Sequence, residues 1–164
     1  GVRISVLTNS LAATDVAAVH GAYANYRKAL LRGGAVLFEL KATHEFGDSQ
    51  RMSLFGSRGA SLHTKAFTVD GKTGFVGSMN FDPRSASLNT EMGVLFSHPA
   101  LVKEVEAIFD AETSPENSFR LSLDKGRLRW HDRDGHILRR EPEAGFWRRL
   151  IAGVIGVLPI ESQL

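Results

Sequence analysis

Hydrophobic and polar positions in the first forty residues predict two strands with a helix between them. Apolar and polar residues alternate and then become continuous over Val2–Thr8, a pattern typical of a sheet strand. Thr14 or Asp15 then caps a helix with an apolar stripe, which runs to about Arg32 and stops at a pair of glycines. The short apolar run Ala35–Leu40 predicts a second strand, so this part of the chain is expected to form a right-handed β-α-β unit.

The middle of the chain predicts a hairpin, a further strand and a second helix. The strands are expected at Leu62–Val69, Gly74–Met79 and Met92–Phe96. Asp70–Thr73 has the composition of a tight turn, and a central pair with glycine first predicts a type II′ hairpin. Pro99 occupies the first position of the helix, whose apolar stripe continues to about Ala111.

Residues after about 112 predict a small basic β appendage. Two short strands at Phe119–Leu123 and Arg127–Asp132 are joined by a turn at Asp124–Gly126. The arginines of this region are Arg127, Arg129, Arg133, Arg139 and Arg140. Such a run of charge usually covers a solvated face, and contact with an anionic substrate or a membrane surface is the alternative.

The terminal stretch Gly145–Leu158 predicts an amphipathic helix. It places Trp147, Arg148 and Arg149 before an apolar run that is too short to span a bilayer, for which about 20 residues are needed. One possibility is that the helix lies in a membrane interface with its arginines toward anionic headgroups. The other is that it packs against the rest of the protein or against a missing part of it.

Length and composition predict one α/β domain over residues 1–164. A mixed central sheet flanked by helices forms the expected core, about residues 1–112, and the β appendage and terminal helix follow over about 113–164. The net charge of +2 permits phosphate-rich partners, and the absence of cysteine excludes disulfides and cysteine-based metal sites. The chain starts with glycine and shows no signal peptide, so we expect a piece of a longer protein or a processed form.

The hairpin carries the chain's most concentrated chemistry. In the predicted register Lys65 lies opposite Ser78 and His63 lies opposite Asn80, with all four side chains on one face about 5 Å from their partners at Cβ. An ammonium, a hydroxyl and an amide can donate hydrogen bonds to phosphate oxygens, and a histidine can attack phosphorus or carry a proton. The alternative is a surface hairpin with an incidental histidine.

These residues fit a known signature. The pattern H-x-K-x4-D-x6-G-S-x-N is matched by His63, Lys65, Asp70, Gly77, Ser78 and Asn80. The chain therefore resembles the phospholipase D superfamily, and the wider likeness, from Gly1 to about Leu158, is to the second half of a bacterial cardiolipin-synthase-type enzyme. This resemblance implies a phospholipase D-like fold.

The resemblance also assigns a role to Glu91, whereas the roles expected of Asp70 and Arg84 follow from strand geometry and residue type. It places Glu91 where the superfamily has an acidic residue that accepts a hydrogen bond from the catalytic histidine; a surface glutamate at a strand start is the alternative. Asp70 lies roughly 20 Å from His63 along an extended strand, so a structural role in the turn is expected. Arg84 is a candidate phosphate contact, with a salt bridge to Asp82 or a solvated position as alternatives.

Several polar residues elsewhere carry weaker predictions. Asn9 and Asp15 are expected to border the active cleft, and His20 and Tyr23 to be packing residues. His44 and Glu45 lie in a polar loop without a third ligand at useful spacing, so no metal site is expected there.

The implied function is that of a phosphatidyltransferase or phosphodiesterase acting through a phosphohistidine intermediate. This chemistry needs two histidines, and the family supplies them from two H-x-K motifs, whereas this chain contains one. The second motif is expected from a missing N-terminal half or from a homodimer partner. Family precedent favours His63 as the general acid/base and the other histidine as the nucleophile. No cofactor is expected.

The expected substrate is an anionic phospholipid such as phosphatidylglycerol, and the expected location is peripheral, on the bacterial inner membrane. Two alternatives stay open at this stage. The first is a metal-independent nuclease of the same superfamily, whose DNA binding would be strongly salt-dependent. The second is a non-catalytic domain that binds lipid or a protein partner.

Overall fold

The structure, a computed structural model, describes residues 1–14, 17–42, 62–80, 85 and 88–155. In chain order the elements are β1 (Ser5–Asn9), α1 (Ala17–Arg32), β2 (Val36–Leu40), β3 (Lys65–Val69), β4 (Thr73–Gly77), β5 (Gly93–Phe96), α2 (Pro99–Glu112), β6 (Ser118–Asp124), β7 (Arg127–His131), β8 (Ile137–Leu138) and α3 (Phe146–Ile155). The chain forms two compact units, which are Gly1–Leu62 with Glu112–Pro159 and His63–Ala111 with Ile160–Leu164.

The first unit contains a five-stranded mixed sheet in the order β1-β2-β6-β7-β8. β1 and β2 are parallel, with Ser5 opposite Val36, and α1 connects them, which confirms the predicted β-α-β order. β6 is antiparallel to β2, with Phe38 opposite Arg120. The strands predicted as an appendage are therefore hydrogen-bonded into the same sheet as the first two strands of the chain.

The core of the first unit combines a hydrophobic cluster with a buried carboxylate. Leu37, Phe119, Leu121 and Trp130 form the buried cluster. On β2, the fully buried Glu39 accepts hydrogen bonds from Arg27 (2.9 Å) and from the Trp130 indole (2.8 Å). Burial raises the pKa of the Glu39 carboxyl, although the charge of Arg27 opposes the rise.

Arg27 extends this network toward the end of the chain. Its second guanidinium nitrogen donates to Glu141 at 2.5 Å, and the buried His20 places Nε2 3.7 Å from the same carboxylate. Burial raises the pKa of Glu141, but the neighbouring His20 and the hydrogen bond and charge of Arg27 outweigh burial and hold the pKa at about 2. The network joins α1, β2 and the segment before α3.

The second unit contains the hairpin and one more strand. β3, β4 and β5 form an antiparallel sheet of their own. The prediction that they join the central sheet is therefore wrong within the described residues, where the first sheet consists of β1, β2, β6, β7 and β8. The second helix begins at Pro99, as predicted.

The predicted turn type and register of the hairpin are also wrong. The Lys72 amide donates to the Val69 carbonyl at 3.0 Å, and both residues between them, Asp70 (φ 52°) and Gly71 (φ 63°), are left-handed, as in a type I′ turn. Three residues separate the strands, so β3 pairs with β4 one residue away from the predicted register. A non-local contact favours the observed register, because it sets Phe67 directly opposite Phe75, with stacked rings 5.1 Å apart.

The terminal helix forms over Phe146–Ile155 and confirms the predicted element. Arg148 donates to the carbonyls of Leu11 (3.0 Å) and Ala12 (2.6 Å), so the helix is attached to the loop after β1. No helix in the described ranges is both long and apolar enough to cross a membrane.

Candidate active site

His63 and Lys65 lie at the start of β3. His63 precedes the strand and is exposed, and the Lys65 ammonium donates to the His63 carbonyl oxygen at 2.8 Å. Partial burial lowers the pKa of Lys65, and the nearby charge of Glu91 opposes this shift. A cation and an imidazole are therefore held within two residues of each other at one end of the hairpin.

Ser78 follows β4 and faces the start of β5 rather than Lys65. The observed register pairs Lys65 with Gly77, so the predicted pairing of Lys65 with Ser78 does not form. The Ser78 hydroxyl instead donates to the Glu91 carboxylate at 2.6 Å and accepts from the Met92 amide at 3.0 Å. Asn80 lies beyond the end of β4 with an exposed side chain, and the predicted His63–Asn80 pair is not part of the ladder.

Glu91 is the hub of the polar contacts around Ser78. Hydrogen bonds from Ser78, then Ser85 and Asn89, with a contribution from the charge of Lys65, lower the pKa of the Glu91 carboxyl. The carboxylate is therefore ionised at neutral pH and fixes the direction of the serine hydroxyl. The hydrogen bond from His63 that the resemblance implies for Glu91 stays a prediction.

Sequence reasoning did not select Ser85 or Asn89. Ser85 is buried, and Asn89 donates to its hydroxyl at 3.4 Å, four residues along the chain. Both lie in the segment after the motif that carries the wider resemblance, which was the available signal. Residue type alone does not identify Ser85, because its contact is with Glu91, six positions further along the chain.

Gly77 and Gly93 leave the space that the Phe75 ring occupies. A Cβ added at Gly77 would lie 2.7 Å from the Phe75 ring and 2.6 Å from the Met92 carbonyl oxygen, and one added at Gly93 would lie 2.3 Å from the same ring. The glycine that precedes the motif serine therefore lets β4 and β5 approach closely under an aromatic ring. This approach brings Ser78 beside Met92, where the two backbones also share a 2.8 Å hydrogen bond.

The remaining predicted site residues are placed as follows. Asp70 is exposed in the turn, in the left-handed conformation, which agrees with a structural role. Five candidates lie outside the described residues: Asp15, His44, Glu45, Asp82 and Arg84. Among the described residues, no three His, Cys, Asp or Glu side chains are grouped so that they could hold a metal ion.

Asn9 contacts the residue that precedes the motif histidine. Its side-chain amide donates to the Leu62 carbonyl at 2.9 Å, and its side-chain oxygen accepts from the Leu62 amide at 2.7 Å. The Asn9 carbonyl lies 3.2 Å from Nδ1 of His20, whose burial confirms its predicted packing role. Asn9 therefore holds the backbone at Leu62 through two hydrogen bonds, and its position at the border of the cleft stays a prediction.

Comparisons with known proteins agree with the motif. Residues 1–113 match the family described as cardiolipin synthase, PLD-like domain. Cardiolipin synthase C of Escherichia coli (strain K12) is 46% identical over 169 aligned positions, which cover 100% of this chain and 36% of that protein. An uncharacterized protein of Helicobacter pylori (strain J99 / ATCC 700824) is 36% identical over 162 positions, 97% of this chain and 31% of that protein. The chain spans about a third of these relatives, and no solved structure gives a significant match.

Proposed function

Since the chain belongs to the PLD-like domain family of cardiolipin synthases, we propose that it supplies one catalytic half of a phosphatidyltransferase that acts on anionic phospholipids. The observation that carries the proposal is the arrangement at the end of the hairpin. His63 and Lys65 lie at the start of β3, and Ser78, which is hydrogen-bonded to Glu91, directly follows the neighbouring strand β4. The Escherichia coli relative named cardiolipin synthase C supports the choice of a lipid substrate.

The site residues divide into groups that bind charge and a group that moves a proton. Lys65 and Asn80 donate hydrogen bonds to the non-bridging phosphate oxygens, and Arg84 adds a further contact. Ser78 shares this role when its hydroxyl turns from the Glu91 carboxylate to the phosphate. His63 exchanges protons near neutral pH, and Asp70 serves by closing the turn between the two strands.

The reaction has two steps in this proposal. The histidine of the second motif attacks phosphorus, the bond to the leaving glycerol oxygen breaks, and His63 donates a proton to that oxygen. His63 then takes the proton from an incoming hydroxyl, whose oxygen attacks the phosphohistidine and releases the first histidine. With phosphatidylglycerol as donor and acceptor the products are cardiolipin and glycerol, and with water as acceptor the product is phosphatidic acid.

The second histidine must come from outside this chain, since none of its other five histidines is followed by lysine two positions on. Two sources fit, an N-terminal half of the same protein and a second copy of the chain. The coverage of about a third of the relatives supports an N-terminal half. With substrate in the bilayer, the assembled enzyme works as a peripheral protein on the bacterial inner membrane.

The test joins the chain to its natural upstream segment and supplies labelled phosphatidylglycerol in EDTA. Release of glycerol together with a two-phosphate lipid product supports the transferase, and release of phosphatidic acid identifies a hydrolase of the same site. Labelled DNA in the same buffer tests the nuclease of the superfamily. Turnover of DNA without turnover of lipid contradicts the proposal.

A further inference from the structure

Helix α3 exposes the apolar side of its surface. The large apolar residues Phe146, Trp147, Leu150 and Ile151 are 70%, 71%, 45% and 47% exposed. At about 100° per residue, these four side chains fall within an arc of about 140° on one side of the helix. Helices on the surface of a globular protein normally turn such a stripe toward the core, so this helix is inverted.

The opposite side of α3 attaches the helix to the first unit through arginines. Arg148 donates to the carbonyls of Leu11 and Ala12, and Arg149 donates to the Glu141 carbonyl at 2.7 Å. Backbone carbonyls therefore occupy both arginines, which fits the possibility that the helix packs against the rest of the protein. Their contacts fix the helix so that the apolar arc points away from the unit.

A cationic pocket adjoins this helix. It has a volume of about 370 Å³ and is lined by the segment 138–143 together with Arg149. Of its two carboxylates, Glu141 pairs with Arg27, and Glu143 accepts from the Ala42 amide at 2.8 Å and keeps its negative charge. Arg139 and Arg140 are exposed and make no side-chain hydrogen bond or ion pair with the described part of the chain. The three arginines of the lining outnumber its two carboxylates, so the pocket carries a net positive charge.

We propose that these features form one docking surface for an anionic phospholipid membrane. The α3 membrane face consists of the apolar arc (Phe146, Trp147, Leu150 and Ile151) and the arginine pair Arg139 and Arg140. The arc enters the boundary between headgroups and acyl chains, where aromatic residues are favoured, and the arginines contact lipid phosphates. The pairing of an exposed apolar arc with free cations argues for a charged lipid surface over a neutral protein groove. The inference rests on the proposed function in one respect, which is that docking brings the enzyme to its lipid substrate.

The two tryptophans give a direct measurement of docking. Trp147 lies in the arc, whereas Trp130 is 4% exposed in the core. Addition of vesicles of phosphatidylcholine with one third phosphatidylglycerol should shift Trp147 emission to shorter wavelength, and the Trp147→Phe variant should show no shift. Pure phosphatidylcholine vesicles should bind the chain much more weakly, and high salt should weaken binding to the anionic vesicles.

Matched variants separate the two parts of the surface. Arg139→Gln/Arg140→Gln should weaken partitioning onto anionic vesicles about 30-fold, which is about five- to sixfold for each arginine near the surface. Arg120→Gln/Arg127→Gln, which removes the same charge from exposed positions on β6 and β7, should leave it within about threefold.

The apolar arc has its own matched pair. Ile151→Gln should weaken binding about tenfold, and Val19→Gln, at a similarly exposed site on α1, should leave it unchanged. Far-UV circular dichroism and thermal melts confirm that each variant is folded. His63→Ala should keep full vesicle binding, so loss of turnover and loss of docking are separate results.

Two outcomes overturn the proposal. Equal binding by the parent and by both surface variants shows that the membrane does not contact this face. The second outcome combines two results: the parent does not bind vesicles, and it self-associates with concentration in sedimentation experiments. If Ile151→Gln abolishes this self-association, the arc binds a second copy of the chain.

Discussion

Gly77 lies where β4 and β5 approach each other beside Ser78, and the space that a side chain would fill is taken by the Phe75 ring and the Met92 carbonyl. The motif could be recognised from the sequence, but the reason for its glycine could not. The ring that covers Gly77 comes from two residues earlier on the same strand, and the carbonyl comes from fifteen residues later. The same limit applies to Ser78, whose partner Glu91 was selected for a different role.

Gly77→Ala is expected to destabilise the chain by about 2–4 kcal/mol, because the new methyl group meets two backbone atoms as well as a ring. Urea unfolding of this variant, of a control variant and of the parent measures the effect. Gly145→Ala is the control, since nothing lies within 4 Å of a Cβ at that position. Equal unfolding midpoints for the two variants would show that the contact around Phe75 is not tight.

Elements with a strong local pattern were predicted well, and features set by long-range contacts were not. β1, α1 and β2 follow from periodicity and a glycine stop, and α2 follows from a proline at its first position. The hairpin register depends on which pair of turn residues is left-handed and on the stacking of Phe67 with Phe75, which local composition does not determine. The buried pair of Arg27 and Glu39 was missed because single charged residues in a helix and a strand normally face solvent.

Removal of Arg27 tests that buried pair. Arg27→Met leaves the Glu39 carboxylate buried without its cation, so a loss of about 3–5 kcal/mol in unfolding free energy is expected. The double variant Arg27→Met/Glu39→Leu removes both charges and should recover part of this loss. Arg129→Met breaks the more exposed pair with Asp124 and should cost at most about 1 kcal/mol. A similar cost for Arg27→Met and Arg129→Met contradicts the described network.

At the scale of the whole molecule, Glu141 makes the stability of the first unit depend on pH. Its folded pKa of about 2 lies below its ordinary value of 4.5. Above pH 4.5 the group is ionised in both folded and unfolded chains, and its contribution to stability is complete. As pH falls from 4.5 toward 2, the unfolded chain binds the proton first, so this contribution is progressively lost.

The Glu141→Gln variant should therefore be less stable than the parent at neutral pH and should approach it as acid is added. Urea midpoints at pH 6, 4 and 3 measure the two curves. Because the variant lacks the titrating group, its midpoint should fall less steeply between pH 4 and 3. Parallel curves would show that Glu141 does not carry this acid sensitivity.

The fold class, the motif and the family were all accessible from sequence, because the motif spacing is specific and the strand and helix patterns are clear. The division of the strands into two sheets and the inverted terminal helix were not accessible. Both depend on contacts between residues that are far apart in the sequence. Examples are the pairing of β2 with β6 and the hydrogen bond from Arg148 to the Leu11 carbonyl.

The central claim is that His63 belongs to the reacting group of a lipid phosphatidyltransferase. The decisive measurement is the rate of cardiolipin formation from labelled phosphatidylglycerol in EDTA, with the chain joined to its upstream segment. His63→Ala should lower the rate about a thousandfold or more, whereas His98→Ala, an exposed histidine before α2, should leave it close to that of the parent. Cardiolipin formation at the parent rate by the His63→Ala protein would contradict the account.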